Sequence, residues 1–589
     1  MAARTSSQNG NWADSSTWGG AAAPGNGDTA TVGHVVTVAA NATVGHSPGA
    51  GDVTQAVLVN AGGSVVINSG VTFVCRGDFF CSNSNTVRSL DVAAGGVFEF
   101  DASAAGVPAT ARYVCQGTGH AASGTQPSIR FAGSSGSHCT VRSNAGGANG
   151  RFTTTGTYGG LIEATYTDFT RIGDASNAGF TMTLTGDSLT TFTNCVFDAC
   201  GQLTFGGTNI VGATQFTMQN CRWKNTAASN CITTTMYNDK TTGTRLIDGN
   251  TFDKICYTYA PRECTITNNV FYGNVTMSST DNEGCVFTGN VIGLAAGADT
   301  VQPYAATIDG NYLIYRDSGA TNPHFLQVGN YVALTTQAVS NNIFDFIGSD
   351  STGDCILLAS PGSAVTVNIT NNLVLPNASG QTTGTIFSAL GNANITIACN
   401  HNTCHVGTGG GAAVGETYTG HAGMLSSFKS NLFWDTSARG YKLTDSGVND
   451  AVSDLVTSAN ANYNAGYNLS AGSNLKGYNN LEFSSGSPGA NDLEGQDPQF
   501  IDSSRNMAAW DLSLGGPGTA ANALTELLKK NDTGYNSNYN ITALLAFVRG
   551  GFAPQNTAYR DAGHDGVTIG AFEWQSGRNS GGLCLLGCG

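Results

Sequence analysis

The chain has 589 residues with 79 glycines, only 13 prolines and 11% charged side chains, and its 40% hydrophobic content excludes a disordered polymer. It is too long for one ordinary globular core, and Thr, Asn, Ser and Gly between short apolar runs favour an all-β protein rich in turns. A net charge of −15 argues against a nucleic-acid partner, which needs a basic face, and no apolar run reaches the length of a membrane span.

Residues 1–50 read as a capping segment. The stretch "NGNWADSSTWGGAAAPGNGDTATVGHVVTV" sets Trp12 and Trp18 ahead of a Pro-Gly turn and two alternating strand runs. In that order, the tryptophans, the turn and the "GDTATV" and "GHVVTV" strands resemble the N-terminal segment of many phage-borne and bacterial surface β-helix proteins, including those with an eight-glycine-type domain. The resemblance implies that the indole rings cover the open first coil of a β-helix. The opening residues hold no apolar stretch suited to a signal peptide, so the expectation is a protein left in the cytoplasm of its producing cell until something releases it.

Residues 51–190 follow a strand–Gly-Gly–strand rhythm, as in "AVLVNAGGSVVINSGVTFVC" and "SLDVAAGGVFEFDAS", which reads as short β-helix rungs.

Residues 191–485 carry a repeat. An asparagine precedes each short apolar run at Asn194, Asn220, Asn250, Asn269, Asn290, Asn311, Asn342, Asn372, Asn402 and Asn431. The steps of 19 to 31 residues each hold two or three runs rich in Val, Ile, Phe and Thr, without helical periodicity. A unit of this size built of short strands cannot bury its own apolar side chains, so it stacks on the next, as in a parallel β-helix. The crossover rule predicts a right-handed coil. The ten asparagines are expected at one corner, where Asn tolerates the left-handed conformation of a tight turn and stacked amides bond along the axis. The sixteen cysteines lie mostly inside apolar runs and read as buried, reduced side chains. Cys195 and Cys221 each follow a corner asparagine and are expected one above the other, close enough for a disulfide after release.

Residues 486–575 contain "QDPQFIDSSRNMAAWDLSLGGPGTAANA" and "DGVTIGAFEW". Asp497, Pro498, Phe500, Trp510, Leu512, Pro517 and Ile569 to Glu573 resemble the closing signature of the right-handed β-helix superfamily, to which pectate-lyase-like proteins belong. That signature runs from a "DP-x-F" stretch through a strand and a turn to "IGAFE". Between its two parts, Leu524, Leu527 and Leu528, then Leu544, Leu545 and Phe547, have helical spacing. They predict two short helices against the last coils, where the family has a short loop. Residues 576–589 form a Gly-rich tail with an apolar end holding Cys584 and Cys588; it either folds back on the last coil or docks into a partner.

The superfamily resemblance implies polysaccharide chemistry, so paired carboxylates are the first candidates. Of nine glutamates, Glu163, Glu263, Glu283 and Glu416 lie in or near the column, while Asp198, Asp253, Asp345 and Asp435 follow a corner asparagine and read as turn formers. Asp281 and Glu283 are the best local pair, against the plainer reading of a loop pair without a role. Arg316 with Asp317 is the one local hint of lyase chemistry with bound calcium. Cys399, His401, Cys404 and His405 have a zinc-like spacing, but alternate strand residues point in and out and cannot converge. His564 in "GHDG" reads as structural, and neither a metal nor a cofactor is expected.

The reading is thus an all-β, right-handed parallel β-helix with an N-terminal cap and a small C-terminal helical insertion. Its expected function is that of a bacteriophage virion structural protein of the tail-fibre, tailspike or head-decoration type. Expected partners are other virion proteins and a host cell-surface polysaccharide. The resemblance to phage spikes adds a possible homotrimer, although no heptad is present to enforce one. Two alternatives stay open: a tailspike polysaccharide depolymerase, and a bacterial cell-surface adhesin.

Overall fold

The computed structural model describes residues 2–45, 55–81, 88–103, 112–115, 129–146, 149–154, 162–183, 189–208, 215–237, 245–259, 264–277, 285–294, 301–303, 305–315, 324–328, 334–345, 354–358, 364–375, 387–389, 394–405, 413–417, 424–434, 442–445, 460–467, 491–532 and 534–572.

Each coil contributes one short strand to each of three parallel sheets. Ile162–Thr165, Thr167–Thr170 and Phe180–Thr183 make one coil, and Leu189–Thr193, Val196–Asp198 and Leu203–Thr208 make the next. Strands pair in parallel with their counterparts one coil on, so Phe169 lies over Phe197 and Ala164 over Phe192. The chain is a parallel β-helix. Among the described residues the first and second sheets each hold seventeen strands; sixteen steps of about 4.8 Å make a shaft about 77 Å long. The third sheet is described in two parts, of 12 and 5 strands, joined by the bridge between Val301 and Leu326.

The strand pattern explains the stacking. Val365–Thr370 alternates buried and part-exposed residues, so one face of the first sheet meets the interior and the other meets water. Inside, aromatic rings stack along the axis: Phe169 on Phe197 at 5.1 Å, then Phe197 on Trp223 at 4.3 Å. One left-handed residue turns the chain from the first sheet to the second, at Tyr166, Asn194, Asn220, Asn268, Asn341, Asn371, His401, Ser430 and Tyr463, with glycine at 249, 289 and 310.

The N-terminal segment is part of the helix as well as its lid. Ala3–Thr5, Gly10–Asn11 and Ala42–Gly45 each join a different sheet. Trp12 and Trp18 are buried edge to face at 5.1 Å, and Trp12 meets Phe73 at 5.0 Å. Both indoles are satisfied, Trp12 Nε1 donating to Pro24 O and Trp18 Nε1 to Trp12 O. That pairing lets polar-edged rings sit in an apolar interior.

The C-terminal region departs from the sequence expectation in two ways. It holds three helices instead of two: α1 (Met507–Ser513), α2 (Ala520–Leu528) and α3 (Ile541–Gly551). Trp510 and Leu512, assigned to a strand by the closing signature, lie in α1, because the Asn506 side chain caps the Ala509 amide and starts a helix there. Nor do the helices sit on the last coils. They run back along the shaft and cover the second sheet, Met507, Trp510, Leu524, Leu527, Leu544 and Val548 packing on Val270, Val291, Tyr312, Ile314, Ile343 and Leu373. Strands under this strap are buried on both faces, as in Val291–Leu294 and Tyr312–Tyr315. Earlier strands of the same sheet, such as Arg222–Lys224, turn polar side chains outward. The strap closes at residues 569–572, where Gly570 N donates to Ser430 O and Ala571 N to Thr403 Oγ1, rather than adding a rung; Glu573 lies outside the described residues.

Candidate functional site

Beside the left-handed residues runs a second, buried column one position further along the chain. Asn250, Asn269, Asn290, Asn311, Asn342, Asn372, Asn402, Asn431 and Asn464 are all buried. The Asn269 Nδ2 donates to Ile247 O at 2.9 Å on the coil before and to Asn290 Oδ1 at 3.0 Å on the coil after, while Asn269 N donates to the same Oδ1 at 3.0 Å. The pattern repeats through Asn431 and ends where Asn464 N donates to Asp492 Oδ1. Each rung otherwise leaves one corner N–H and one carbonyl buried without a sheet partner, and a primary amide satisfies both kinds of group.

Two of the ten predicted asparagines are not in this ladder. Asn194 and Asn220 take the left-handed position, with φ of 54° and 52°, and the ladder position beside them is held by Cys195 and Cys221. Those thiols stand in for the amide: Cys195 Sγ donates to Ala164 O at 3.4 Å and Cys221 Sγ to Phe192 O at 3.3 Å. Both are free, buried and on adjacent rungs. Burial, then the neighbouring Cys221, pushes the Cys195 thiol well up. Asn464 and Asp492 extend the ladder beyond the sequence list; the signal for Asn464 is the small apolar run "AGY" after it.

Three described acids from the candidate set bind residues of other coils. Asp198 holds Lys224 at 3.2 Å and Asn225 Nδ2 at 2.8 Å, and Asp253 accepts from the Thr226 amide and hydroxyl. Glu163 pairs with Arg88 at 3.6 Å. Asp345 is buried and accepts from the Tyr312 hydroxyl of the coil before at 2.5 Å; the residues that follow it lie outside the described residues. Asp281, Glu283, Glu263, Arg316, Asp317 and Asp435 lie outside the described residues, as does the side chain of Glu416.

The zinc-like run does not converge. Cys399 and Cys404 are buried, and His405 packs edge to face on Trp434 at 4.7 Å, while His401 faces the strap. There its Nε2 lies 3.0 Å from Asp565 Oδ2, and its ring lies 5.2 Å from that of His564. Ser430 Oγ pairs with His564 Nδ1 at 2.9 Å and accepts from His564 N at 2.9 Å. This is not a Ser-His-Asp triad: Asp565 approaches the same nitrogen as Ser430, at 4.0 Å, instead of the far side of the ring. Burial first, then His401 and Lys429, lower the His564 pKa against the pull of Asp565.

Under the strap, a polar hollow of about 360 Å³ is lined by Asn220, Asp248, Gly249, Asn268, Lys530 and Asn540, among others. Burial lowers the Lys530 pKa, with Asp248 opposing. Among the described residues no helix is long and apolar enough to cross a membrane. No family model, curated protein or solved structure matches this chain.

Proposed function

We propose that the chain is a structural or adhesion protein of a bacteriophage particle, of the tail-fibre, tailspike or head-decoration type. One observation carries this reading: an amide ladder continuous from Asn250 to Asn464 and a strap that returns along the same shaft make a stiff rod. In this rod Asp198, Asp253 and Glu163 are each tied to a residue of another coil rather than offered as a free catalytic pair. Rigid elongated surface suits attachment and assembly, because preorganised faces lose little conformational entropy on binding. The tryptophan-capped N-terminus, with its resemblance to phage-borne β-helix proteins, and thirteen described cysteines that are buried and in no disulfide support folding in a reducing cytoplasm before release by lysis. The partners in this reading are other virion proteins, sister chains in a homotrimer and a host cell-surface polysaccharide.

The test is to incubate the purified full chain with capsular polysaccharide from candidate host cells, measuring both retention and new reducing ends. Retention without product supports a binder or builder. Release of reducing ends, lost on the double change Asp281→Asn, Glu283→Gln, would make the protein a depolymerase. Antibody labelling of phage particles that finds no copy of the chain would overturn the virion assignment.

A further inference from the structure

We propose that His401, His564 and Asp565 form a binding site for a zinc-class divalent ion that fastens the returning strap to the shaft. One nitrogen of each imidazole and a carboxylate oxygen lie within 4.8 Å of one another. Two imidazoles with one carboxylate suit Zn²⁺, Co²⁺ or Ni²⁺ rather than Ca²⁺ or Mg²⁺, which prefer all-oxygen shells. Tetrahedral coordination at ordinary Zn–N and Zn–O lengths sets ligand atoms about 3.3 Å apart. The His401–Asp565 contact at 3.0 Å is already near that spacing, so only a small closure of the third ligand is needed.

The surroundings orient the ligands. His401 is fixed at the left-handed corner with φ 56°, its amide bonded to Lys429 O at 3.0 Å. The buried Ser430 hydroxyl accepts His564 N and lies 2.9 Å from Nδ1, the ring nitrogen that Asp565 approaches at 4.0 Å, so an ion bound between that nitrogen and the carboxylate takes over the Ser430–Nδ1 contact. The part-buried His401 and the more exposed Asp565 leave an open side where water completes the shell. Lys429 stands near and opposes a dication, so binding is expected to be weaker than at a four-ligand structural zinc site. The two halves of the site lie 164 residues apart and meet only when the strap docks, so an ion held there binds the closed form.

The experiment uses the full chain freed of metal with a chelator and titrated with Co²⁺ and Zn²⁺. Expected results are saturable binding of one equivalent, a visible Co²⁺ d–d spectrum without thiolate charge transfer, and slower proteolysis of the strap. Asp565→Asn should weaken binding at least tenfold, and His401→Asn, which keeps a residue tolerant of the left-handed corner, should abolish it. Far-UV circular dichroism checks that both variants fold; if His401→Asn does not, the Asp565→Asn comparison decides. Absence of saturable binding, binding unchanged in Asp565→Asn, or a thiolate charge-transfer band placing the ion on cysteines would each overturn the proposal.

Discussion

Tyr312 and Met507 are 195 residues apart, yet the buried Tyr312 hydroxyl accepts the Met507 amide at 2.9 Å. The same hydroxyl donates to Asp345 on the next coil at 2.5 Å. Burial first, and then Asp345, push the phenol pKa well up, so the proton stays on oxygen and the donor role is kept. One side chain thereby joins two rungs of the shaft to the first turn of α1.

Tyr312→Phe should cost about 1–3 kcal/mol, because it leaves a buried amide without its acceptor and deprives Asp345 of a donor. Faster hydrogen exchange over residues 507–513, with shaft exchange unchanged, is the expected readout. Equal acceleration in both parts would mean that strap and shaft unfold together.

The two corner columns should respond differently to substitution. Asn342 Nδ2 donates to Ile308 O and Asn372 Oδ1, and its Oδ1 accepts from Asn311 N and Nδ2. Asn342→Leu therefore removes several buried bonds and should cost about 2–4 kcal/mol. Asn194→Gly keeps the left-handed corner and should change stability by less than about 0.5 kcal/mol. Urea unfolding of both variants checks the contrast, and equal losses would mean that the columns share one role.

Acid should loosen the strap at its helical end. Asp511 is buried, and its carboxylate accepts from Gly518 N, Thr519 N, Asn522 Nδ2 and the Tyr539 hydroxyl. Burial works to raise its pKa, but these donors outweigh it and hold the value below the ordinary 3.8. A depressed folded-state pKa contributes stability that is present above the unfolded value and lost as pH falls through the folded one. The strap should thus hold from neutral pH down to about 4 and loosen below it. Asp511→Asn should remove that acid step in the near-ultraviolet signal of Trp510, which packs edge to face on Tyr539 at 5.3 Å.

The buried thiols should be silent in the native protein. Burial pushes Cys139 and Cys200 up to about 12, so thiolate is scarce at pH 8. A thiol reagent should find few reactive groups before unfolding in guanidinium and nearly the full set after it. Few thiols in the unfolded, unreduced chain would point to disulfides and an oxidising compartment.

Much of the shaft was legible in the sequence because its cause is local and repeated. A corner needs a residue tolerant of positive φ, and a buried corner needs a side chain that both donates and accepts; doublets such as Asn268–Asn269, Asn341–Asn342 and Asn371–Asn372 supply both in two letters. At Asn194–Cys195 and Asn220–Cys221 the doublet is incomplete. The asparagine there holds the corner, and only the structure reveals that a thiol holds the ladder place.

The spacing of Leu524, Leu527 and Leu544 marked helices, but an apolar helical face does not name the surface it covers. The complementary sign was the loss of alternation in "VIGL" and "YLIY", strands with apolar residues on both faces. Sequence alone thus determined the repeating coil, since backbone conformation and hydrogen-bond capacity are properties of neighbouring residues. Only the tertiary structure decided where the strap lies and that His401 meets His564 and Asp565, because docking depends on the burial of two distant faces against each other, which no local pattern records.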